Sequence, residues 1–280
     1  MTATLASARD ERGEVVSVEQ LGGGMVELTA SLPHIAANAQ PGQFVQLRCG
    51  SGPVPLLRRP FSVAWTDADR ASFVFAPVGV GTRLLTGLRP GDPLQALGPL
   101  GTGFALDGPA RRALCVSGGL GCAPFPLLVR ALRERGANAI TVVSGAATSA
   151  LLYPAERFRR GDDAVDVVEL TVDGSRGTQG LVTDAVPQRC DAGTAVFACG
   201  PNPMMAALHR VLRGVAVSSA EASLEAPMGC GFGTCLGCAL PVHGPDGSGA
   251  WELCCREGPV MPLDHVDWTT LMQLPPAHVA

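Results

Sequence analysis

Residues 113–135 read ALCVSGGLGCAPFPLLVRALRER. This stretch decides the fold. It is apolar and uncharged from Ala113 to Val129, between Arg112 and Arg130, so a membrane span must be considered first. Gly118, Gly119, Gly121, Pro124 and Pro126 interrupt it, and a spanning helix does not tolerate that density of breakers. The segment divides instead into an apolar strand over Ala113–Ser117, a glycine turn and a helix through Leu127–Arg135. Working outward, strands are expected at Ala139–Ser144, Asp166–Val172 and Ala195–Cys199. Helical stretches are expected near Pro154–Phe158, from Val182–Val186 and over Pro203–Leu212. Strand and helix in alternation predict a doubly wound α/β parallel sheet, with ligands at the carboxyl ends of its strands.

Upstream the rhythm differs. Short runs at Val15–Val18, Met25–Thr29, Gln43–Arg48, Phe61–Trp65, Ser72–Pro77 and Pro93–Leu97 are flanked by Gly, Pro or Asp, and only Thr82–Leu88 looks helical. This spacing predicts a small antiparallel β-barrel. Downstream, Ser218–Pro262 is rich in Gly and Cys with little periodicity, so it needs a staple to hold shape. The tail from Asp264 is expected to form a short helix around Trp268–Met272. The chain is thus a multidomain α+β protein with segments 1–108, 109–217 and 218–280.

Composition narrows the function classes. In 280 residues, 46% are hydrophobic and 16% charged, and the mean hydropathy is +0.24, which excludes disorder as the main state. A formal charge of −4, with no Lys/Arg cluster, gives no footprint for nucleic acid. Residues 1–14 carry Arg9, Asp10, Glu11 and Arg12 and no apolar core of a signal peptide, so a cytoplasmic protein off the membrane is expected. Ten cysteines in such a protein point to metal binding or burial rather than to disulfides. Cys49, Cys115, Cys190 and Cys199 are scattered as buried thiols would be, and Cys122 is ambiguous.

The remaining cysteines are crowded. Cys230-Gly-Phe-Gly-Thr-Cys235-Leu-Gly-Cys238 is followed by Cys254-Cys255. The first three give C-x4-C-x2-C, the spacing of plant-type [2Fe–2S] sites. Thiolates must converge there while backbone N–H groups turn inward, and the interleaved glycines permit such a nest. Structural zinc prefers C-x2-C pairs at both ends, which this run lacks. Spacing leaves Cys254 and Cys255 both open as fourth ligand. A zinc-stapled binding module without catalysis is the alternative of another class.

Two nucleotide signatures lie upstream. In the barrel, Arg58-Arg59-Pro60-Phe61-Ser62 begins a strand, and Gly79-Val80-Gly81-Thr82 opens the short helix. An arginine fork suits a pyrophosphate, and a serine hydroxyl can reach a flavin edge. In the α/β segment, Ser117-Gly118-Gly119-Leu120-Gly121 and Ala198-Cys199-Gly200-Pro201-Asn202-Pro203-Met204-Met205 each follow a strand and open a helix. Two such turns at adjacent strand ends frame a dinucleotide site, although the first is not a full G-x-G-x-x-G pattern.

Taken in order, R-x-x-S, a Gly-rich first turn and C-G-P-x-P-M resemble the ferredoxin reductase superfamily. With S-L-E-A-P-M-G-C-G-F-G-T-C-L-G-C and C-R-E-G-P-V appended, the chain looks like the electron-transfer subunits of class 1B dihydroorotate dehydrogenases, over about Gly13 to Pro262. The family's C-[KR]-[DE]-G-P-V ending favours Cys255, giving Cys230, Cys235, Cys238 and Cys255 as ligands. The resemblance implies FAD on the barrel at Arg59, Pro60, Phe61 and Ser62, lined by Val74, Phe75 and Ala76, with Gly81 and Thr82 at its phosphates. It implies NAD near Gly118, Gly119, Gly121, Cys199, Gly200 and Pro201. It also implies an FMN-containing catalytic partner that oxidises dihydroorotate in pyrimidine biosynthesis, two of each subunit together, with electrons passing through the [2Fe–2S] cluster and FAD to NAD⁺. No catalytic acid or base of this chain is required. Small subunits of ferredoxin:NAD(P) reductases and diaphorase subunits of sulfhydrogenases share the three modules and remain as rivals. Ser144-Gly145-Ala146-Ala147-Thr148 offers no cation for a 2′-phosphate, which favours NAD over NADP.

Overall fold

The computed structural model describes residues 7–50, 52, 54–106 and 112–274. The first part is a curled antiparallel sheet of seven strands: β1 (Arg9–Gly22), β2 (Met25–Ser31), β3 (Phe44–Leu47), β4 (Arg59–Ser62), β5 (Trp65–Asp67), β6 (Arg70–Phe75) and β7 (Pro93–Leu100). Their order is β4-β3-β7-β1-β2-β6-β5, and the edge strands β4 and β5 are joined through Val63 and Ala64. One strand was expected over Phe61–Trp65. The chain turns there instead, because Val63 N–H bonds to Gln43 and Ala64 N–H to Ser72, on opposite sides of the barrel. Leu28, Leu47 and Phe73, all fully buried, fill the interior.

Two short helices decorate this sheet, α1 (Pro33–Asn38) and α2 (Val80–Thr86). The first has no side-chain cap of its own. The Glu11 carboxylate of β1 accepts from the His34 and Ile35 N–H groups at 2.8 and 3.0 Å, so the helix start is held from another strand.

The second part is the expected parallel sheet, extended. Strands β8 (Arg112–Gly118), β9 (Ala139–Ala146), β10 (Val165–Thr171), β11 (Thr178–Gln179) and β12 (Thr194–Cys199) are parallel. They alternate with α3 (Phe125–Glu134), α4 (Ala155–Arg159) and α5 (Asn202–Leu212). The expected helix from Val182 is a single 3₁₀ turn, Val182–Ala185. Beyond residue 217 the sheet continues. β13 (Ser219–Ser223) lies parallel to β12, and β16 (Val260–Pro262) runs antiparallel to β13. Between them come β14 (Ala239–His243) and β15 (Gly249–Leu253), a hairpin, while α6 (Trp268–Leu271) follows β16. The C-terminal module is therefore sewn into the α/β sheet by its first and last strands. The boundary expected at 108/109 lies outside the described residues.

Alternation along β8 sends Leu114 and Val116 to one face and Ala113 and Cys115 to the other. The first face joins α5 to the C-terminal module, where Leu240, Val242, Cys254 and Trp268 share its core. The second packs Phe125, Tyr153, Phe158 and Phe197 together with Met25, Ala64 and Val74 of the barrel. Polar groups reinforce that junction. Buried Glu27 of β2 bonds to Arg157 at 3.1 Å and Arg160 at 2.6 Å. Trp65 of β5 faces the guanidinium groups of Arg130 and Arg160, 4.4 and 5.3 Å from its ring centre. No helix among the described residues is long and apolar enough to cross a membrane.

Candidate functional site

Three sites lie in a row across the junctions. The first is a pocket of about 320 Å³ on the barrel flank. Pairing of β3 with β4 sets Ser62 opposite Phe44 and Pro60 opposite Gln46. Pro60, Phe61 and Ser62 form one wall, and Val74, Phe75, Ala76 and Thr82 continue it. The Thr82 hydroxyl accepts from the Gly79 N–H at 3.0 Å, which fixes the start of α2. Arg59 and Gly81 are not on the wall itself. They stack behind it: a Cβ on Gly81 would stand 3.4 Å from the Arg59 Cγ and 3.1 Å from the Cys49 Sγ. Burial pushes the Cys49 thiol up to about 11 despite the nearby Arg59 guanidinium, so it stays neutral.

The far wall of this pocket holds residues that sequence reasoning did not single out: Leu120, Ala123, Leu224, Glu225, Met228 and Pro259. Glu225 opens to solvent along the pocket, yet the surrounding protein desolvates its carboxyl and raises its pKa. Its only sequence signal is its place in the S-L-E-A-P-M run before the first clustered cysteine. Cys199, also on this wall, is fully enclosed, and burial, aided by Glu225, drives its thiol pKa upward.

The second site is a cleft of about 580 Å³ at the carboxyl end of the parallel sheet. Gly118, Gly119 and Pro201 line it, together with Gly145 and Ala146 at the end of β9 and Ala147 beyond it. Its described lining contains no charged side chain. The structure thus separates the residues expected for the dinucleotide. Cys199 faces the first pocket, whereas Gly121 and Gly200 lie behind the cleft wall. Ala76 and Leu120 belong to both cavities, so the two sites share a partition.

Gly121 shows why the turn needs glycine. A Cβ there would stand 2.1 Å from the Cys199 carbonyl oxygen, which belongs to strand β12 and cannot swing away. Gly121→Ala is expected to lower stability by about 1–3 kcal/mol through overpacking and to weaken NADH binding. Urea denaturation and calorimetric titration measure the two effects. Wild-type values for both would remove the close approach as the reason for this glycine.

The third site is the loop between β13 and β14. The Cys230 sulfur accepts from the Thr234 N–H at 3.3 Å and the Cys235 N–H at 3.5 Å. Burial works against its ionisation, but the N–H groups of Cys235, Phe232 and Thr234 outweigh it and hold the thiol down at about 7. The Cys238 and Cys255 sulfurs meet at 3.2 Å. That hydrogen bond holds Cys238 down at about 6 and pushes Cys255 up, so one proton serves both. The Cys235 thiol in turn leans on Cys230. The four sulfurs fall into two pairs, Cys230 with Cys235 and Cys238 with Cys255. Among the described residues no three ligating side chains close on a single ion centre. A two-iron cluster divides four thiolates between two metals, and paired sulfurs with inward N–H groups fit that group. Cys254 points the other way. It is completely buried and its thiol reaches the Leu224 carbonyl at 3.5 Å.

Comparison with known proteins agrees with this arrangement. A family model described as the iron–sulfur cluster binding domain of dihydroorotate dehydrogenase B matches residues 225–267. Another, described as an oxidoreductase NAD-binding domain, matches residues 115–210. The dihydroorotate dehydrogenase B (NAD(+)) electron transfer subunit of Geobacillus thermodenitrificans is 40% identical over 254 residues, covering 89% of this chain and 95% of that protein. The subunit of the same name from Desulforamulus reducens is 38% identical over 242 residues, 84% of this chain and 90% of that one. Among solved structures, a chain of the NADH-dependent reduced ferredoxin-NADP oxidoreductase superposes with a TM-score of 0.78 at 29% identity, covering 93% of this chain and 91% of its own. The ferredoxin reductase of carbazole 1,9a-dioxygenase, with a TM-score of 0.65 at 24% identity over 75% of this chain and 67% of its own, shares the fold. This chain belongs to the family of dihydroorotate dehydrogenase B electron transfer subunits, NAD-linked flavin and iron–sulfur oxidoreductases built on the ferredoxin reductase fold.

Proposed function

We propose that this chain takes electrons from a dihydroorotate-oxidising partner subunit and delivers them to NAD⁺, serving pyrimidine biosynthesis. In this reading Cys230, Cys235, Cys238 and Cys255 hold a [2Fe–2S] cluster. The barrel pocket behind Pro60–Ser62 holds FAD, with Arg59, Gly81 and Thr82 toward its phosphates. The cleft lined by Gly118, Gly119 and Pro201 holds NAD, with Gly121 and Gly200 shaping the turns behind it and Cys199 on the side of the barrel pocket. When bound, an iron–sulfur cluster moves single electrons, and a flavin matches them to the hydride chemistry of nicotinamide. The protein's own part is placement.

One observation carries the reading: the three sites are contiguous. Ala76 and Leu120 separate the barrel pocket from the cleft on one side. On the other, Leu224–Met228 forms the pocket wall and runs straight into Cys230. The uncharged lining of the cleft supports NAD rather than NADP, since nothing described there would meet a 2′-phosphate.

The partner is proposed to be an FMN-containing catalytic subunit, two copies of each chain assembling together. Cys235 is exposed, and beside it Phe232 and Leu236 stand 40% and 65% exposed. An apolar rim around a cluster loop suits a protein interface. A cytoplasmic setting, where thiols stay reduced, is part of this reading.

The test is co-expression with the proposed FMN-containing catalytic subunit and an assay of dihydroorotate-dependent NAD⁺ reduction. Robust activity is expected. Intact flavin and cluster without that activity would sink the reading. It would point to the second one, a ferredoxin:NAD(P) reductase small subunit, which the 0.78 superposition favours; co-purification with a larger iron–sulfur flavoprotein identifies that case.

A further inference from the structure

Gln46 is the unexplained polar group of this molecule. It lies on β3, is completely inaccessible to solvent, and finds no hydrogen-bond partner for either its Nε2 or its Oε1 among the described residues. Buried amides are ordinarily paired, because an interior of low polarity strengthens every unmet demand. A residue kept in that condition calls for a partner outside the polypeptide.

Its position says which one. Along β3, Gln46 shares a face with Phe44, and across the ladder the same face carries Pro60 and Ser62. Those three line the barrel pocket, and Gln46 does not. It lies instead under the cysteine loop. Gly231 approaches so closely that a Cβ there would stand 2.6 Å from both the Gln46 Nε2 and its Cγ. Gly231 also holds φ +82°, a left-handed conformation that lets the loop settle onto the amide. The amide therefore stands where the barrel meets the sulfur cage, and its N–H₂ end is turned to the residue that follows Cys230. What that cage offers a donor is sulfur.

We propose that Gln46 is a positioning residue of the iron–sulfur site, its Nε2–H donating a hydrogen bond to a sulfur of the cluster held beside Cys230 and Gly231, a partner outside the polypeptide. The inference rests on the cluster assignment above. A donor aimed at cluster sulfur favours the reduced, more negative form and so raises the reduction potential. The barrel wall that cradles the flavin would thereby also set the potential of the neighbouring centre.

Two measurements on the holoprotein decide it. In wild-type protein whose glutamine side chains carry heavy nitrogen, pulsed electron paramagnetic resonance of the reduced cluster is expected to show a coupled nitrogen. Gln46→Leu should abolish that coupling. In an electrochemical titration, Gln46→Leu should shift the oxidised-to-reduced ratio about tenfold toward the oxidised form at fixed potential, a fall of about 59 mV for one electron. An intact cluster with no coupled glutamine nitrogen in the wild type overturns the role of Gln46 alone, even where the variant fails to fold. So does an unchanged potential in Gln46→Leu. A wild-type protein that assembles no paramagnetic iron–sulfur centre overturns the cluster assignment and this inference with it.

Discussion

Cys255→Ala protein is expected to purify yellow, with its flavin band intact and its iron–sulfur absorption gone, whereas Cys254→Ala should keep both. The two residues are neighbours in sequence, so the difference is one of direction. Cys255 is placed 3.2 Å from Cys238, and the thiol of Cys254 reaches back to Leu224 within the core beneath the parallel sheet. Removing a thiolate from a four-thiolate site leaves an iron one ligand short, and such clusters are lost. Removing Cys254 deletes a small buried group and costs on the order of 1 kcal/mol. Flavin retention serves as the internal control, because the barrel pocket draws no atom from Cys255. Iron and sulfide analysis beside the visible spectrum makes the measurement. Loss of the cluster in Cys254→Ala with retention in Cys255→Ala would assign the ligands the other way round.

That distinction also marks what could be read from residues alone. The C-x4-C-x2-C run announced a thiolate site, and the family ending C-R-E-G-P-V favoured Cys255. Spacing by itself left the pair open, since the direction of a side chain at the end of β15 depends on which core lies beneath it. The strand–turn–helix at Ala113–Arg135 was legible because its apolar run, its glycines and its helix follow one another locally. The Ser219–Ser223 strand was not. Its Ser-Ala-Glu-Ala-Ser sequence carries no apolar signal, and it becomes a strand because β12 and β16 offer edges on both sides. Helix α1 was hidden for a similar reason, its start being capped by Glu11 from a distant strand.

The site divides along the same line. Pro60–Ser62, Val74–Ala76, Thr82, Gly118 and Gly119 sit in recognisable turns and strands, and the structure places them on the two cavities. Glu225, Met228 and Pro259 join the barrel pocket only because the C-terminal module folds back over the barrel. Gln46 reads as an ordinary strand residue until Gly231 is laid against it. What sequence withheld was the contact between modules, which no local pattern encodes.

Glu27 is the strongest case of that kind, and Glu27→Ala is expected to cost about 3–5 kcal/mol of stability. Within Met-Val-Glu-Leu-Thr of β2 it reads as the solvent-facing member of an alternating strand. It is 4% exposed, because the α/β domain covers that face of the barrel. Arg157 of α4 and Arg160 at its C-terminal end converge on its two carboxylate oxygens. Truncation leaves Arg160 partly buried without its counter-ion and Arg157 with Glu19 alone, and leaving a buried charge unpaired outweighs the loss of the pair itself. Glu19, which also bonds to Arg157, supplies the contrast. Its side chain is 53% exposed, so Glu19→Ala should change stability by less than about 1 kcal/mol. The consequence extends to function, because this junction holds the barrel pocket against the cleft of the parallel sheet at Ala76 and Leu120. Glu27→Ala should accordingly slow NADH-dependent flavin reduction at temperatures where the protein is still folded. Urea denaturation and stopped-flow flavin bleaching provide the two readings. A Glu27→Ala protein as stable as Glu19→Ala would show that apolar packing around Met25, Val74 and Phe125 holds the domains together without the ion pairs.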